Sequence, residues 1–455
     1  MSTRLSYRGH ARALLILGLP LVGSHIAQVA IGVTDSVMLG WYDVDALAAV
    51  TLGWSLFFII FIVGSGFAFA VLPMVASAMA QDDVTQARRV TRMGMWLSAI
   101  YGVALMPVMI WSEPLLLAIG QDPKIAALAA EYMAIVAWGM VPALLVMVLK
   151  NYLAALERAP AVLWITIVAA LLNAVLNYAL IFGNFGAPEL GLTGAAIASV
   201  LMQLASLAIM VAYIARVLPR HVLFQRIWRP DPEAFGAVFR LGWPIGLANL
   251  AESGLFSASA VMMGWLGALP LAAHGVAVQL ASLAFVVHLG LSQAVTVRTG
   301  RARGRADPEG MRDGGLVSVA LSVAFSAVTS VLFLTMPELL TGLFVDPGDP
   351  DRPAIIAIGV TLLAVAALFQ LVDGAQVIAL GLLRGVQDTR VPMYIAAFSY
   401  WVVGIPASYL LGFTLGLEGV GIWLGLVIGL AFAAVLLMAR FWTTGLRGVA
   451  EATGS

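Results

Sequence analysis

Residues 18–41 read GLPLVGSHIAQVAIGVTDSVMLGW, and residues 242–265 read GWPIGLANLAESGLFSASAVMMGW. A shift of 224 residues lays one on the other without a gap. Gly18-Leu19-Pro20 meets Gly242-Trp243-Pro244, and Val37-Met38-Leu39-Gly40-Trp41 meets Val261-Met262-Met263-Gly264-Trp265. Each stretch contains a single acidic residue and no Lys or Arg. Each is longer than the ~20 apolar residues that cross a bilayer as a helix. The pair therefore predicts membrane helices, and it predicts that they head two halves of a tandem repeat.

The match continues outward. Leu47-Ala48-Ala49 falls on Leu271-Ala272-Ala273 at the same offset, and Gly191-Leu192-Thr193-Gly194 falls on Gly416-Leu417-Glu418-Gly419 at 225. Apolar runs of membrane-spanning length recur along the 455 residues, at 13–39, 46–77, 93–119, 125–149, 161–183, 191–215, 236–265, 270–297, 314–344, 354–383, 391–413 and 419–441. Hydrophobic residues make up 62% and charged ones 11%, against about 25% charged in a soluble domain. Alternation at period two over strand-length segments is missing, which argues against an outer-membrane barrel. The fold class is an all-α integral membrane protein of about twelve transmembrane helices. A six-helix N-terminal lobe (1–215) and a six-helix C-terminal lobe (241–455) are joined by a cytoplasmic segment (216–240) and related by a pseudo-twofold axis along the membrane normal. Small residues dominate the helices, 45 of them Gly, which lets helices approach closely in lipid.

Arg4, Arg8 and Arg12 precede the first apolar run, but that run outlasts a signal-peptide core and reads as the first helix. With twelve spans, 22 of the 24 Lys and Arg, Lys150 and Arg384 among them, fall on the side of the N-terminus; only Lys124 and Arg352 fall opposite. The positive-inside rule then puts both termini in the cytoplasm. The absence of Cys excludes thiolate metal sites, disulfides and cysteine nucleophiles. No phosphate-binding loop, HExxH or GxSxG occurs. The chain is thus expected not to be an enzyme and to need no cofactor.

All but three of the 24 Asp and Glu fall in loops or near helix ends; the exceptions are Asp35, Glu252 and Asp373. A carboxylate at mid-bilayer costs roughly 2.5–3.5 kcal/mol even on the lenient insertion scale, so it marks a pathway, relay or counter-ion by default. The plainer alternative, a protonated or snorkelling acid, carries more weight at Asp35, near a helix end, than at the mid-span pair. No Lys or Arg in the predicted spans is deep enough to pair with Glu252 or Asp373. The expected partner is therefore a mobile cation or proton, bound on one side and released on the other. Asn173 and Asn177 share a helix face and suit either cavity lining or interhelical hydrogen bonding. Gln28 holds the repeat position of Glu252, giving the two lobes different chemistry. His274 and His288 are isolated and read as packing residues. Pro20, Pro244 and Pro406 are expected to bend their helices. Most of the 19 Met and 12 Trp are expected at lipid or interfacial positions rather than on a drug-binding wall.

GLPLVGSHIAQVAIGVTDSVMLG, LLNAVLNYALIFGNFGAPELGLTGAAIA, LGWPIGLANLAESGLF and LVDGAQVIALGLLRGVQDTR resemble the multidrug and toxic compound extrusion (MATE) transporters, in their NorM-like bacterial branch. The resemblance covers essentially the whole chain. It implies cation-coupled export of cationic, often aromatic drugs across the bacterial inner membrane by a monomer in lipid, with no nucleic-acid partner. By the same resemblance, Asp35 matches the acid of the first helix, Asn173 and Asn177 line the same cavity, and Glu252 and Asp373 match the coupling acids of the C-terminal lobe. A Na+ at Glu252 and Asp373 would lack one oxygen ligand here, because Phe369 stands where many relatives have Tyr; that shifts weight toward H+. A lipid-linked oligosaccharide flippase of related architecture and a passive channel are the competing functions. The first wants cationic groups in its cavity, and the second has no use for buried acids.

Overall fold

The computed structural model describes residues 5–449; Arg4 lies outside them. Among these, twelve helices are long and apolar enough to cross a membrane. They are α1 (Tyr7–Tyr42), α2 (Val44–Ala80), α3 (Val84–Ile110), α4 (Pro123–Ala155), α5 (Ala159–Phe182), α6 (Gly191–Val217), α7 (Pro232–Leu266), α8 (Ala268–Gly304), α9 (Pro308–Thr335), α10 (Arg352–Gly385), α11 (Arg390–Thr414) and α12 (Glu418–Val449). The helix count matches the sequence reading. The boundaries differ where charged or polar turns extend a helix past its apolar run. α3 begins at Val84 and carries Arg88, Arg89 and Arg92 in its first turns, and α4 runs on through Lys150 to Ala155. The backbone ladder continues through such turns because Arg and Lys are good helix formers.

The repeat offset reappears in the backbone. α1 passes to α2 at Asp43, whose Oδ1 accepts a hydrogen bond from Asp45 N at 3.0 Å and caps α2. The same place in the second half is Gly267, with φ +124°, a value that glycine reaches without a Cβ clash. One tight turn is made by a capping side chain and the other by a missing one.

The chain forms two compact units, one comprising Gly23–Gly246, the other Met1–Val22 with Leu247–Ser455. The division runs through α1 and α7 at places 224 residues apart. In the first unit, α7 lies so close to α2 that a Cβ on Gly66 would stand 2.4 Å from the Gly242 carbonyl oxygen and 2.5 Å from Gly246 N. This is the small-residue contact that compensates for the absence of a hydrophobic drive between helices in lipid. Also in this unit, Ser24 and Thr166 join α1 to α5 through a 3.0 Å hydrogen bond.

The segment between α6 and α7 is pinned to α3. Arg92 donates from Nε to the Leu223 carbonyl (2.6 Å) and from Nη2 to the Val222 carbonyl (2.7 Å). Trp96 Nε1 donates to the Ile227 carbonyl at 2.7 Å. Arg89 forks onto Asp231 at 2.5 and 3.0 Å and reaches Glu233 at 2.7 Å. These contacts hold Asp231 below the usual carboxylate range, chiefly through the Arg89 hydrogen bond. His221 pairs with the Tyr152 hydroxyl at 2.6 Å, and burial pushes its imidazole below the ordinary range.

In the other unit, α10 is fastened through its own carbonyls. Ser330 and Ser326 of α9 donate to the carbonyls of Ala367 (2.7 Å) and Gln370 (3.0 Å). From α8, Ser292 and Thr296 donate to Val377 (2.8 Å) and Gly381 (2.9 Å). Trp41, Trp111, Trp138, Trp164, Trp228 and Trp265 are exposed, whereas Trp423 is buried. Pro20 and Pro244 lie inside α1 and α7. Pro406 follows a π-helical turn at Ser399–Gly404, a local widening that often marks functional positions.

Candidate functional site

In the Gly23–Gly246 unit, three of the expected residues converge. Asn173 and Asn177, one turn apart on α5, both turn toward α1 and donate from Nδ2 to the same oxygen of Asp35, at 2.6 and 2.5 Å. Both asparagines are fully buried, and their own amide oxygens have no hydrogen-bond partner. Tyr132 of α4 stands within electrostatic range of Asp35 and hydrogen-bonds Ser199. The group thus offers a carboxylate and two unpartnered amide oxygens in an apolar setting. Oxygen ligands of this kind suit a proton carrier or a hard cation. Gln28 lies two turns before Asp35 and lines a pocket in the same unit with Lys150, Thr166 and Gln203.

In the other unit, Asp373 of α10 is 1% exposed and its Oδ1 has no partner. Glu252 of α7 lies within electrostatic range of it, and Glu252 Oε1 is likewise buried and unpartnered. Gln370 and Gln376, one turn before and after Asp373, are both buried with unpartnered side-chain oxygens. A buried polar atom left without a partner costs about 1–3 kcal/mol. Three residues with such atoms, Gln370, Asp373 and Gln376, follow one another at spacings of three along α10.

Three residues around these acids, Tyr400, Arg384 and Gln376, receive no site role from the sequence alone. Tyr400, fully buried on the π-helical turn of α11, accepts a 2.6 Å hydrogen bond from Gln376 Nε2 and lies within electrostatic range of Glu252 and Asp373. Its contact depends on the packing of α11 against α10, which no local pattern announces. Arg384 corrects the expectation that no basic residue reaches the acids. From the last turn of α10 it lies within electrostatic range of Glu252 and donates from Nη2 to Asn249 Oδ1 at 2.9 Å. The long side chain folds back inside, so its place near a helix end understates its reach. Gln376 could have been found from its spacing of three from Asp373.

Phe369 brings no oxygen to the acids. It packs edge-on against Phe256 and Trp423, with centroids 5.9 and 5.4 Å away. The isolated histidines are packing residues with partners. His274 Nδ1 accepts from Trp423 Nε1 at 3.1 Å, and His288 Nε2 meets Ser326 Oγ at 2.9 Å.

Buried acids surrounded by unpartnered oxygens, set in a doubled array of membrane helices, are the equipment of a membrane carrier. The MatE family model matches residues 20–179 and again 244–410, two matches that begin 224 residues apart, and the chain belongs to that family. Relatives named "probable multidrug resistance protein NorM" are similar over nearly their whole length. That of Rhizobium meliloti (strain 1021) is 47% identical, and that of Agrobacterium fabrum (strain C58) is 43% identical; in both cases the match covers 96% of this chain and 94% of the relative. Among solved structures, a MATE protein in complex with MaL6 superposes with a TM-score of 0.87 at 21% identity, covering 96% of this chain and 97% of that one. A eukaryotic MATE transporter gives 0.87 at 18% identity, covering 98% of each. These two likenesses concern the fold.

Proposed function

We propose that the chain is a multidrug antiporter of the bacterial inner membrane. It exchanges H+ or Na+ for cationic, often aromatic compounds by alternating access, with both termini in the cytoplasm. The observation that carries this reading is the pair of unpartnered carboxylate oxygens on Asp373 and Glu252, buried beside one another. Two such acids repel when both are charged, so a proton or a cation between them is stabilising, and its departure is a sizeable change in local energy. That gives a coupling ion the differential interaction between states that transport requires.

In this reading Asp373 and Glu252 bind the coupling ion, with Tyr400 and Gln376 as neighbouring polar groups. Asp35 is the acid of the other lobe, held by Asn173 and Asn177. Loading of the acids from outside favours substrate release there, and substrate arriving from the cytoplasm favours the return. The similarity of the NorM-named relatives over nearly the full chain supports drugs as the substrate class. Arg384 beside Glu252 gives the flippase reading one cationic group, but Asn249 already engages it.

The test is ethidium efflux from energised, pump-deficient bacterial cells expressing wild type or Asp373→Asn at matched levels. Wild type is expected to extrude the dye and the variant to lose at least nine-tenths of the rate, roughly the tenfold that 1.4 kcal/mol represents. Equal efflux by both would remove Asp373 from the coupling role.

A further inference from the structure

The segment between α6 and α7, RVLPRHVLFQRIWRPD at 216–231, carries four arginines and a single acid. That acid, Asp231, is taken up by Arg89 of α3, and so is Glu233 just beyond it. Arg216, Arg220, Arg226 and Arg229 are all exposed. Among the described residues, none of the four has an ion pair or a side-chain hydrogen bond; Arg229 acts on Asp231 only at a distance. The turns before α3 and α5 bring three more acids, Asp82, Asp83 and Glu157, and none of these pairs with the four arginines either.

The segment is held rather than slack. Arg92 and Trp96 fix its carbonyls at Val222, Leu223 and Ile227. Turns close from Gln225 N to the Val222 carbonyl at 3.2 Å and from Arg229 N to the Arg226 carbonyl at 3.0 Å. Val222 and Arg226 stand at φ +47° and +52°, a left-handed backbone that such residues adopt only where their surroundings impose it. The cations are thus presented from a fixed backbone, which leaves little ordering for a ligand to offset. Their depth is fixed too. Arg216 lies in the last turn of α6, a helix that crosses the membrane, and α3, which pins the segment, is another. The segment therefore runs where helices leave the bilayer. Trp228, 72% exposed, and the half-exposed Trp96 of α3 are the ring type that settles among lipid headgroups.

We infer that this segment docks an anionic phospholipid: the headgroup phosphate meets Arg220, Arg226 and Arg229, and Trp228 lies among the headgroups beside it. A soluble anion could match the arginines, but it would leave the exposed ring and the membrane level without a part to play. The inference concerns lipid alone and stands whether or not drugs are exported.

The experiment is native mass spectrometry of the detergent-purified full chain, titrated with phosphatidylglycerol or phosphatidylcholine. An arginine at an anionic membrane surface contributes roughly fivefold in binding. Wild type is therefore expected to hold one phosphatidylglycerol at least about tenfold more tightly than phosphatidylcholine. The triple variant Arg220→Gln, Arg226→Gln, Arg229→Gln should lose that preference. A matched triple in the other unit, Arg305→Gln, Arg312→Gln, Arg390→Gln, should keep it. No preference in wild type, its retention in the first triple, or its equal loss in both overturns the proposal. Glycerophosphoglycerol, the headgroup without acyl chains, should not displace the lipid at equal concentration; displacement would give the site to a soluble phosphodiester and overturn the lipid assignment. If the first triple does not fold, wild type with a phosphatidylglycerol carrying a photoactivatable headgroup decides the matter. Adducts on peptides covering 216–229 are expected, and adducts confined to other peptides overturn the proposal.

Discussion

The clamp between α3 and the segment that leads into α7 yields a prediction whose size follows from its hydrogen bonds. Arg92 makes two bonds to backbone carbonyls, at Leu223 and Val222. Bonds to charged donors contribute about 1.5–3 kcal/mol when well shielded. Here both sites are only partly buried and water can replace the lost donor, so about 1 kcal/mol each is the fitting figure. Arg92→Ala should therefore lower the free energy of opening residues 217–231 by about 2 kcal/mol, a roughly 30-fold rise in their amide hydrogen exchange. Arg89→Ala removes an ion pair whose side chains are 35% and 22% exposed. At about 1 kcal/mol or less, the expected rise is no more than about fivefold. The assay is hydrogen–deuterium exchange read by mass spectrometry on purified protein, with α2 and α4 peptides as internal controls. Exchange in 217–231 unchanged by Arg92→Ala would refute the reasoning. So would an equal rise in the controls, because the effect would then be global unfolding.

The same segment should respond to acid. Asp231 is held below its usual range by Arg89, and His221 below its own by burial, so each contributes stability above its unfolded value, about 3.9 and 6.5, that is lost as pH falls. After correction for intrinsic rates, exchange protection should fall in two steps, first below about 6.5 and again below about 4, and Asp231→Asn should remove only the second. Tyr400→Phe strips the acceptor from buried Gln376 Nε2 and should destabilise the protein by about 1–3 kcal/mol, measured as a lower thermal unfolding midpoint in detergent. In the other unit, Asn177→Ala and Asp35→Asn should be non-additive in the same measurement by about 1 kcal/mol or more, as partners in one hydrogen bond are; simple additivity would disconnect the pair. Gly425→Ala places a Cβ 2.2 Å from Ser408 N and should cost about 1–3 kcal/mol through overpacking, again as a lowered midpoint.

What could be read from the chain alone depended on the range of the interaction concerned. The twelve spans were legible because the bilayer imposes a length on every apolar run. The start of α3 was not, because Arg89 and Arg92 belong to the helix while facing polar partners beyond the apolar run. Asn173 and Asn177 share a face by their spacing of four, so their common direction was visible. Their meeting with Asp35, 138 and 142 residues away, required the fold. Tyr400 and Arg384 stayed hidden for the same reason. One is recruited by a neighbouring helix, and the other reaches back from a terminus where a basic residue looks like a flank.

The hydroxyls that fasten α10 grip its peptide carbonyls at Ala367, Gln370, Val377 and Gly381. None of them grips an α10 side chain. This anchorage leaves the α10 side chains out of the fastening. It also ties α8, α9 and α10 into a single block, because a slide of α10 along its axis would release several bonds together. None of these four bonds reaches α7, so the anchorage that holds Asp373 in place stops short of the helix that carries Glu252.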